Sequence, residues 1–231
     1  MKNSNNIFLI FLLFLLPSCN SLHIKERVET SISPKYKIKN YYTAGVEERN
    51  DIRRVLMLLP LDMAGGIDDL EKIYCLFEDE LRKTKIFDIV NGQVVLNDGD
   101  KKELKKILKS ILTTGIFDSD KLFQIARKYN VQAVLFWGIT SFGKYQPYKF
   151  GVKLYLVNIR TGKIIWAVDE IFDSSRNDVK NLAKFYYYEN YNTSLNPSLK
   201  WEVILESLNE YLKFVFGEVS LTYRSDVLKA K

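Results

Sequence analysis

Apolar positions fall along the chain as unbroken runs and as helical stripes, and the two kinds predict different elements. Residues 7–16 read IFLIFLLFLL without a polar interruption. Ten such residues extend about 15 Å as a helix, half of a roughly 30 Å hydrocarbon core, which is too short to span. Residues 20–51 are polar and show no sustained period of 2 or 3.6, the pattern of a tether. Residues 53–59 (RRVLMLL) form a run closed by Pro60, as expected of a strand buried on both faces.

Further on, Leu70, Ile73, Tyr74, Phe77 and Leu81 recur at helical spacing, with Asp68 or Asp69 placed to cap the helix. Residues 86–90 (IFDIV) predict a second strand, and Asn91-Gly92 a turn. Asp100 and Glu103 resemble a capping box for a helix whose buried stripe is Leu104, Ile107, Leu108, Ile111 and Leu112. Asp118 caps a third helix carrying Leu122, Ile125, Ala126 and Tyr129. Three strands follow at 131–141, 150–159 and 163–172, closely spaced and so antiparallel, whereas the first two are joined through a helix and so parallel. Residues 177–188 predict a helix and 192–198 a loop. The stripe Trp201, Ile204, Leu205, Leu208, Tyr211, Leu212 and Val215 gives a last helix, stopped by Gly217.

The fold class expected is α/β: a mixed sheet of about five strands, parallel in its N-terminal part and an antiparallel meander in its C-terminal part, flanked by helices. Residues 1–18 read as a signal segment, 19–51 as the tether, 52–217 as one domain and 218–231 as a polar tail.

Composition narrows the chemistry. The 231 residues are 47% hydrophobic and 27% charged, which excludes disorder and collagen-like repeats. Two Cys exclude a disulfide framework, and a single His, His23 in the tether, excludes a multi-His metal centre. With no second imidazole, neither a Ser-His-Asp nor a Cys-His pair can form in the domain, and no G-x-S-x-G, C-x-x-C or H-E-x-x-H occurs. The loop 60–69 has Gly65-Gly66 but no phosphate-cradling pattern, and its Asp62, Asp68 and Asp69 repel phosphate. Asp169 and Glu170 are strand neighbours pointing to opposite faces, so they cannot converge on one bond, and Asp173 is placed to cap the next helix. No catalytic residue, metal or cofactor is expected.

Two features carry positive information. Leu16-Pro17-Ser18-Cys19 resembles the lipobox of bacterial lipoproteins, where cleavage between Ser18 and Cys19 follows lipidation of the Cys19 thiol. Asn20 after the cysteine favours the outer membrane over the inner one. Cys75, left without an intramolecular partner, reads as a buried, inert thiol. Tyr186, Tyr187, Tyr188 and Tyr191 are the second feature. A helix cannot bury three consecutive residues on one stripe, so this cluster is the candidate partner surface, set against packing by the last helix. The net charge of +6 is concentrated in Lys101, Lys102, Lys105, Lys106 and Lys109 on one helix face, read as a solvated face rather than a nucleic-acid site. Asn192-Thr193-Ser194 matches a glycosylation sequon by chance.

VLMLLPLD, KIFDIV, KLFQIARKYNVQAVLFWGITSF and VNIRTGKIIWAVDEIFDSS together resemble a superfamily of bacterial envelope lipoprotein domains. It includes the curli secretion-channel lipoprotein, the lipoprotein activators of penicillin-binding proteins and the N-terminal domain of the Tol-system propeller protein. The resemblance covers residues 52–174 and rests on Pro60, Phe87, Val90, Val134, Leu135, Gly138, Thr161, Gly162, Ile164 and Trp166, which are fold determinants. It implies a non-catalytic module anchored to the membrane through lipid and bound to an envelope protein. A homo-oligomeric channel or ring subunit is the alternative, although the 142–149 connection is too short to carry a membrane hairpin. An enzyme of unrecognised type is the reading from another class.

Overall fold

A three-residue strand, β1 (Tyr41–Thr43), and a single helical turn, α1 (Val46–Arg49), come first in the computed structural model, which describes residues 37–191 and 200–224. All described residues belong to one compact unit. The run after Arg53 becomes β2 (Arg54–Met57), breaks at Pro60 and resumes as β3 (Leu61–Asp62). Helix α2 (Leu70–Lys83) starts at Asp69, whose side chain accepts from the Lys72 N–H at 3.0 Å. Then come β4 (Asp88–Asn91), the turn α3 (Gly92–Val95), α4 (Asp98–Thr114) and α5 (Ser119–Lys128). The hairpins β5 (Ala133–Gly143), β6 (Lys149–Asn158) and β7 (Ile164–Asp173) lead to α6 (Asn177–Asn190), α7 (Val203–Glu206) and α8 (Leu208–Thr222).

The strands form one mixed sheet in the order β1-β7-β6-β5-β2-β4, with β3 also pairing β5. β2 runs parallel to both β4 and β5, while β5, β6, β7 and β1 are antiparallel. The expected parallel and antiparallel halves are therefore present. Among the described residues the sheet has seven strands rather than about five, because β1 and β3 are too short to leave a periodic signature. Period-2 alternation sorts β5 between two cores. Ala133, Leu135, Trp137 and Ile139 face α2, α6 and α8, and Val134 and Phe136 face α4 and α5. Helices thus cover both faces of β2 and β5. Among the described residues no helix is long and apolar enough to cross a membrane.

Three expectations about the bounds of elements need correction. The stretch 40–50 is part of the sheet unit and not tether: β1 pairs β7, the Ala44 N–H donates to the Ile165 carbonyl at 2.9 Å, and Arg49 is buried. Gly217 does not stop the last helix, which runs on to Thr222. A mid-helix glycine costs about 1 kcal/mol relative to Ala. Burial of Val219 and Ser220 beyond it, and a 2.8 Å hydrogen bond from Trp166 Nε1 to Thr222 Oγ1, offset that cost. A Cβ at Gly217 would lie 2.8 Å from Cε2 of Tyr186, so the glycine makes room for that ring. The third concerns α4. Its cap is Asn97, accepting from the Asp100 N–H at 2.8 Å, so the helix begins one turn before the Asp100 and Glu103 pair. The loop and sequon expected over 192–198, and the tail beyond Arg224, lie outside the described residues.

Candidate functional site

Acidic groups at the loops and strand ends are held in structural tasks. Asp62 accepts from the Gly65 N–H at 2.7 Å and the Ile67 N–H at 3.1 Å, closing the loop that leads into α2. Glu78 is gripped by Arg82 Nη2 at 2.6 Å and by Asn91 Nδ2 at 2.9 Å, tying α2 to the end of β4. Asp100 accepts from Lys128 Nζ and Tyr129 OH, both at 2.6 Å, and these bonds hold its carboxyl below the ordinary range. Asp169 pairs with Lys153 at 3.5 Å, while Glu170 turns to the Lys39 N–H at 3.1 Å. Asp173 accepts from Ser175 Oγ at 2.6 Å and the Ser175 N–H at 2.9 Å. It orders the turn before α6 and leaves the helix without a side-chain cap. Among the described residues no three His, Cys, Asp or Glu side chains are placed to hold a metal ion.

The tyrosines do not form one exposed surface. Tyr186 and Tyr187 are buried at 6% and 1% exposure, and Tyr188 and Tyr191 are half-buried. Tyr186 meets Phe214 edge-on at 5.5 Å, Tyr187 stacks on Tyr191 at 5.0 Å, and Tyr191 OH donates to Glu210. Burial of Tyr186 raises its phenol above the ordinary range, with Glu80 adding to the effect. Residues 185–188 escape the one-stripe limit because α8 packs close at Gly217 and receives a broad aromatic face.

Cys75 is exposed, not buried. The stripe Ile73, Tyr74, Phe77 and Leu81 faces the core, and Cys75 lies between its members on the outer arc of α2. Partial desolvation, followed by Glu78 and Asp79, holds its thiol above the ordinary range and keeps it a poor nucleophile. On α4, Lys102, Lys105, Lys106 and Lys109 are exposed and Lys101 is half-buried, as a solvated face requires. Ser18, Cys19 and His23 lie outside the described residues.

Periodicity gave no hint of the cleft beyond the carboxyl end of β2. Here the Leu58 N–H donates to the Leu135 carbonyl at 3.3 Å, and Trp137 Nε1 donates to the Leu58 carbonyl at 2.7 Å. Pro60 has no N–H, and pairing with β5 resumes at Leu61 opposite Gly138. The cleft has a volume of about 410 Å³ and is walled by Pro60 and seven leucines. Lys101 and Lys105 stand at its edge. Neither has an ion pair or a side-chain hydrogen bond among the described residues, whereas Lys106 and Lys121 are both drawn to Glu103. α3 closes one end. Gly92 approaches β2 so tightly that a Cβ would lie 2.7 Å from the Met57 carbonyl oxygen. The cleft occupies the switch point of the sheet, since the link from β2 to β4 crosses the α2 face and the link from β4 to β5 crosses the α4 face.

The fold is thus that of an α/β domain with a mixed sheet covered by helices on both faces. No protein-family model and no curated protein sequence matches the chain. Solved structures do. The chain is similar to a dodecamer of a single-substitution PelC variant from Paraburkholderia phytofirmans, at 12% identity and a TM-score of 0.41 over 78% of this chain and 95% of that one. Lipoprotein GNA1162 from Neisseria meningitidis matches at 15% identity and a TM-score of 0.39 over 64% of this chain and 99% of that one. The LpoB C-terminal domain from Salmonella enterica matches at 16% and 0.35 over 57% and 85%.

Proposed function

We propose that the chain is a bacterial lipoprotein, anchored through lipid on Cys19, whose α/β domain is a non-catalytic binding or accessory module in cell-envelope assembly. The observation that carries the anchor is the ten-residue apolar run ending in Leu16-Pro17-Ser18-Cys19. Acyl chains each contribute roughly 0.8 kcal/mol per buried methylene, so two or three hold a domain on a membrane without a spanning helix. Asn20 supports the periplasmic face of the outer membrane. The non-catalytic reading is supported by the commitment of Asp62, Glu78, Asp100 and Asp173 to loops and ion pairs within the fold.

Mass spectrometry of the mature N-terminus tests the anchor. The expected species begins at a lipid-modified Cys19, and Cys19→Ser releases the protein from the membrane fraction. An unmodified N-terminus, or a start elsewhere, overturns the reading. In-cell cross-linking tests the module, with one envelope partner expected. A ladder of self-cross-links alone would instead identify a ring subunit.

A further inference from the structure

We propose that the cleft beyond β2 is a binding site for a long-chain fatty acid, with the acyl chain among the leucines and the carboxylate between Lys101 and Lys105. At about 410 Å³ the cleft falls in the lower part of the range of roughly 300–1,000 Å³ typical of small-molecule pockets, enough for one slender chain. Its wall belongs to both cores. Leu58, Leu104 and Leu108 come from the α4 side, and Leu59 and Leu70 from the fringe of the α2 side. It is therefore a preformed seam in the fold.

Much of the backbone at its floor is already spent, and Leu59 alone keeps an N–H unbonded among the described residues. Leu58 uses its N–H on Leu135 and its carbonyl on Trp137, Leu61 pairs Gly138, and Pro60 has no donor. An extended peptide would find only the Leu59 N–H and the Leu59 and Pro60 carbonyls to pair with, too few for a strand's ladder, whereas an acyl chain asks for none. The charges complete the match. Lys101 and Lys105 are one turn apart on α4, where side chains at i and i+4 converge, and both ammoniums lack a protein partner among the described residues. Asp62, the acidic residue in the lining, is turned to the amides of Gly65 and Ile67. A single terminal anion over an apolar chain is the ligand class this arrangement recognises. The cleft is built from the domain alone, so it stands whether or not Cys19 carries lipid.

Photolabelling of the full chain in isolated membranes, with a diazirine-bearing palmitate as probe, tests it. ATP is removed so that the probe cannot be activated and attached as an acyl group. Cross-links are expected in the peptides holding Leu59–Leu61 and Leu104–Leu108. Unlabelled fatty acids should compete about fourfold better per added methylene until the cleft is full, and the alcohol of equal length about tenfold worse than the acid. Leu59→Trp, which fills the cleft, should abolish the cross-links. The surface pair Lys101→Glu with Lys105→Glu should weaken labelling by about tenfold, with limited proteolysis verifying that each variant stays folded. Labelling spread evenly over the surface overturns the proposal, as does equal competition by acid and alcohol, or labelling unchanged in either folded variant. Displacement of the probe by an acidic, leucine-rich peptide at lower concentration than any fatty acid would also overturn it, in favour of a protein ligand.

Discussion

The two faces of the sheet are filled by different means. On the α4 side the core is almost wholly aliphatic, and its helical part comes from one contiguous stretch, Leu96 to Val131. On the α2 side the centre is aromatic. Phe77 stacks on Phe216 at 4.6 Å and meets Trp137 edge-on at 4.9 Å, and Phe150 meets Phe216 at 5.4 Å. Those rings come from α2, β5, β6 and α8, so this core closes only when distant parts of the chain meet. Local helices can be placed one at a time, but an aromatic core shared by four elements must be completed at once. Damage on the α2 side should therefore reach further.

The largest effect expected is from Trp137→Ala, which removes a fully buried ring and its bond to the Leu58 carbonyl. A loss of about 3–5 kcal/mol in denaturant unfolding is expected. Ile111→Ala, fully buried on the other side, should cost about 2–4 kcal/mol. If Ile111→Ala proves the more damaging, the contrast between the faces is wrong.

A pH titration separates the faces differently. Burial and the neighbouring Glu189 push the Glu218 carboxyl on α8 up to about 8, from an ordinary 4.5. The folded chain holds this proton more tightly than the unfolded one. Its contribution is therefore complete below about pH 4.5 and is lost as pH rises through about 8. Because the residue is half-buried, the decline between pH 5 and 8 should be on the order of 2 kcal/mol. Glu218→Gln should flatten it, and a wild-type curve that rises over this range would refute the assignment.

Smaller effects remain for the surface. Asn97→Ala should cost about 1 kcal/mol through loss of the α4 cap. Cys75→Ser on the outer arc of α2 should stay within about 0.5 kcal/mol, and the native thiol should react with a thiol reagent without denaturant. Denaturant melts and reagent kinetics distinguish these from core lesions.

The same contrast decided what could be read from sequence. The stripe Leu104, Ile107, Leu108, Ile111 and Leu112 maps residue for residue onto the buried face of α4, because a local period is a local signal. On the α2 side the stripe Ile73, Tyr74, Phe77 and Leu81 was equally legible, but the remaining signals were long-range. β1 owes its existence to β7, and nothing in Tyr41–Thr43 alone shows that pairing. Gly217 resembles a helix stop until Tyr186 is known to lie against it, and the tyrosine cluster resembles a surface until α8 covers it. The cleft was hidden for a related reason. Lys101 and Lys105 are indistinguishable in sequence from the other lysines of α4 until Pro60 and Leu59 arrive beside them.

The burial of Arg49 has a consequence for the order of events in the cell. Its guanidinium sits over the Tyr223 ring at 5.1 Å and donates to the Tyr223 carbonyl, while Thr43 Oγ1 donates to the Thr222 carbonyl at 3.2 Å. The first strand and the last helix are thus each other's seat. During synthesis from the N-terminus, that seat stays empty until residue 223 is made. A growing chain can assemble the α4 side early, but its aromatic core must wait until residue 223 is made. Until then the nascent chain carries an open apolar face, a natural handle for the factors that keep unfinished chains unfolded.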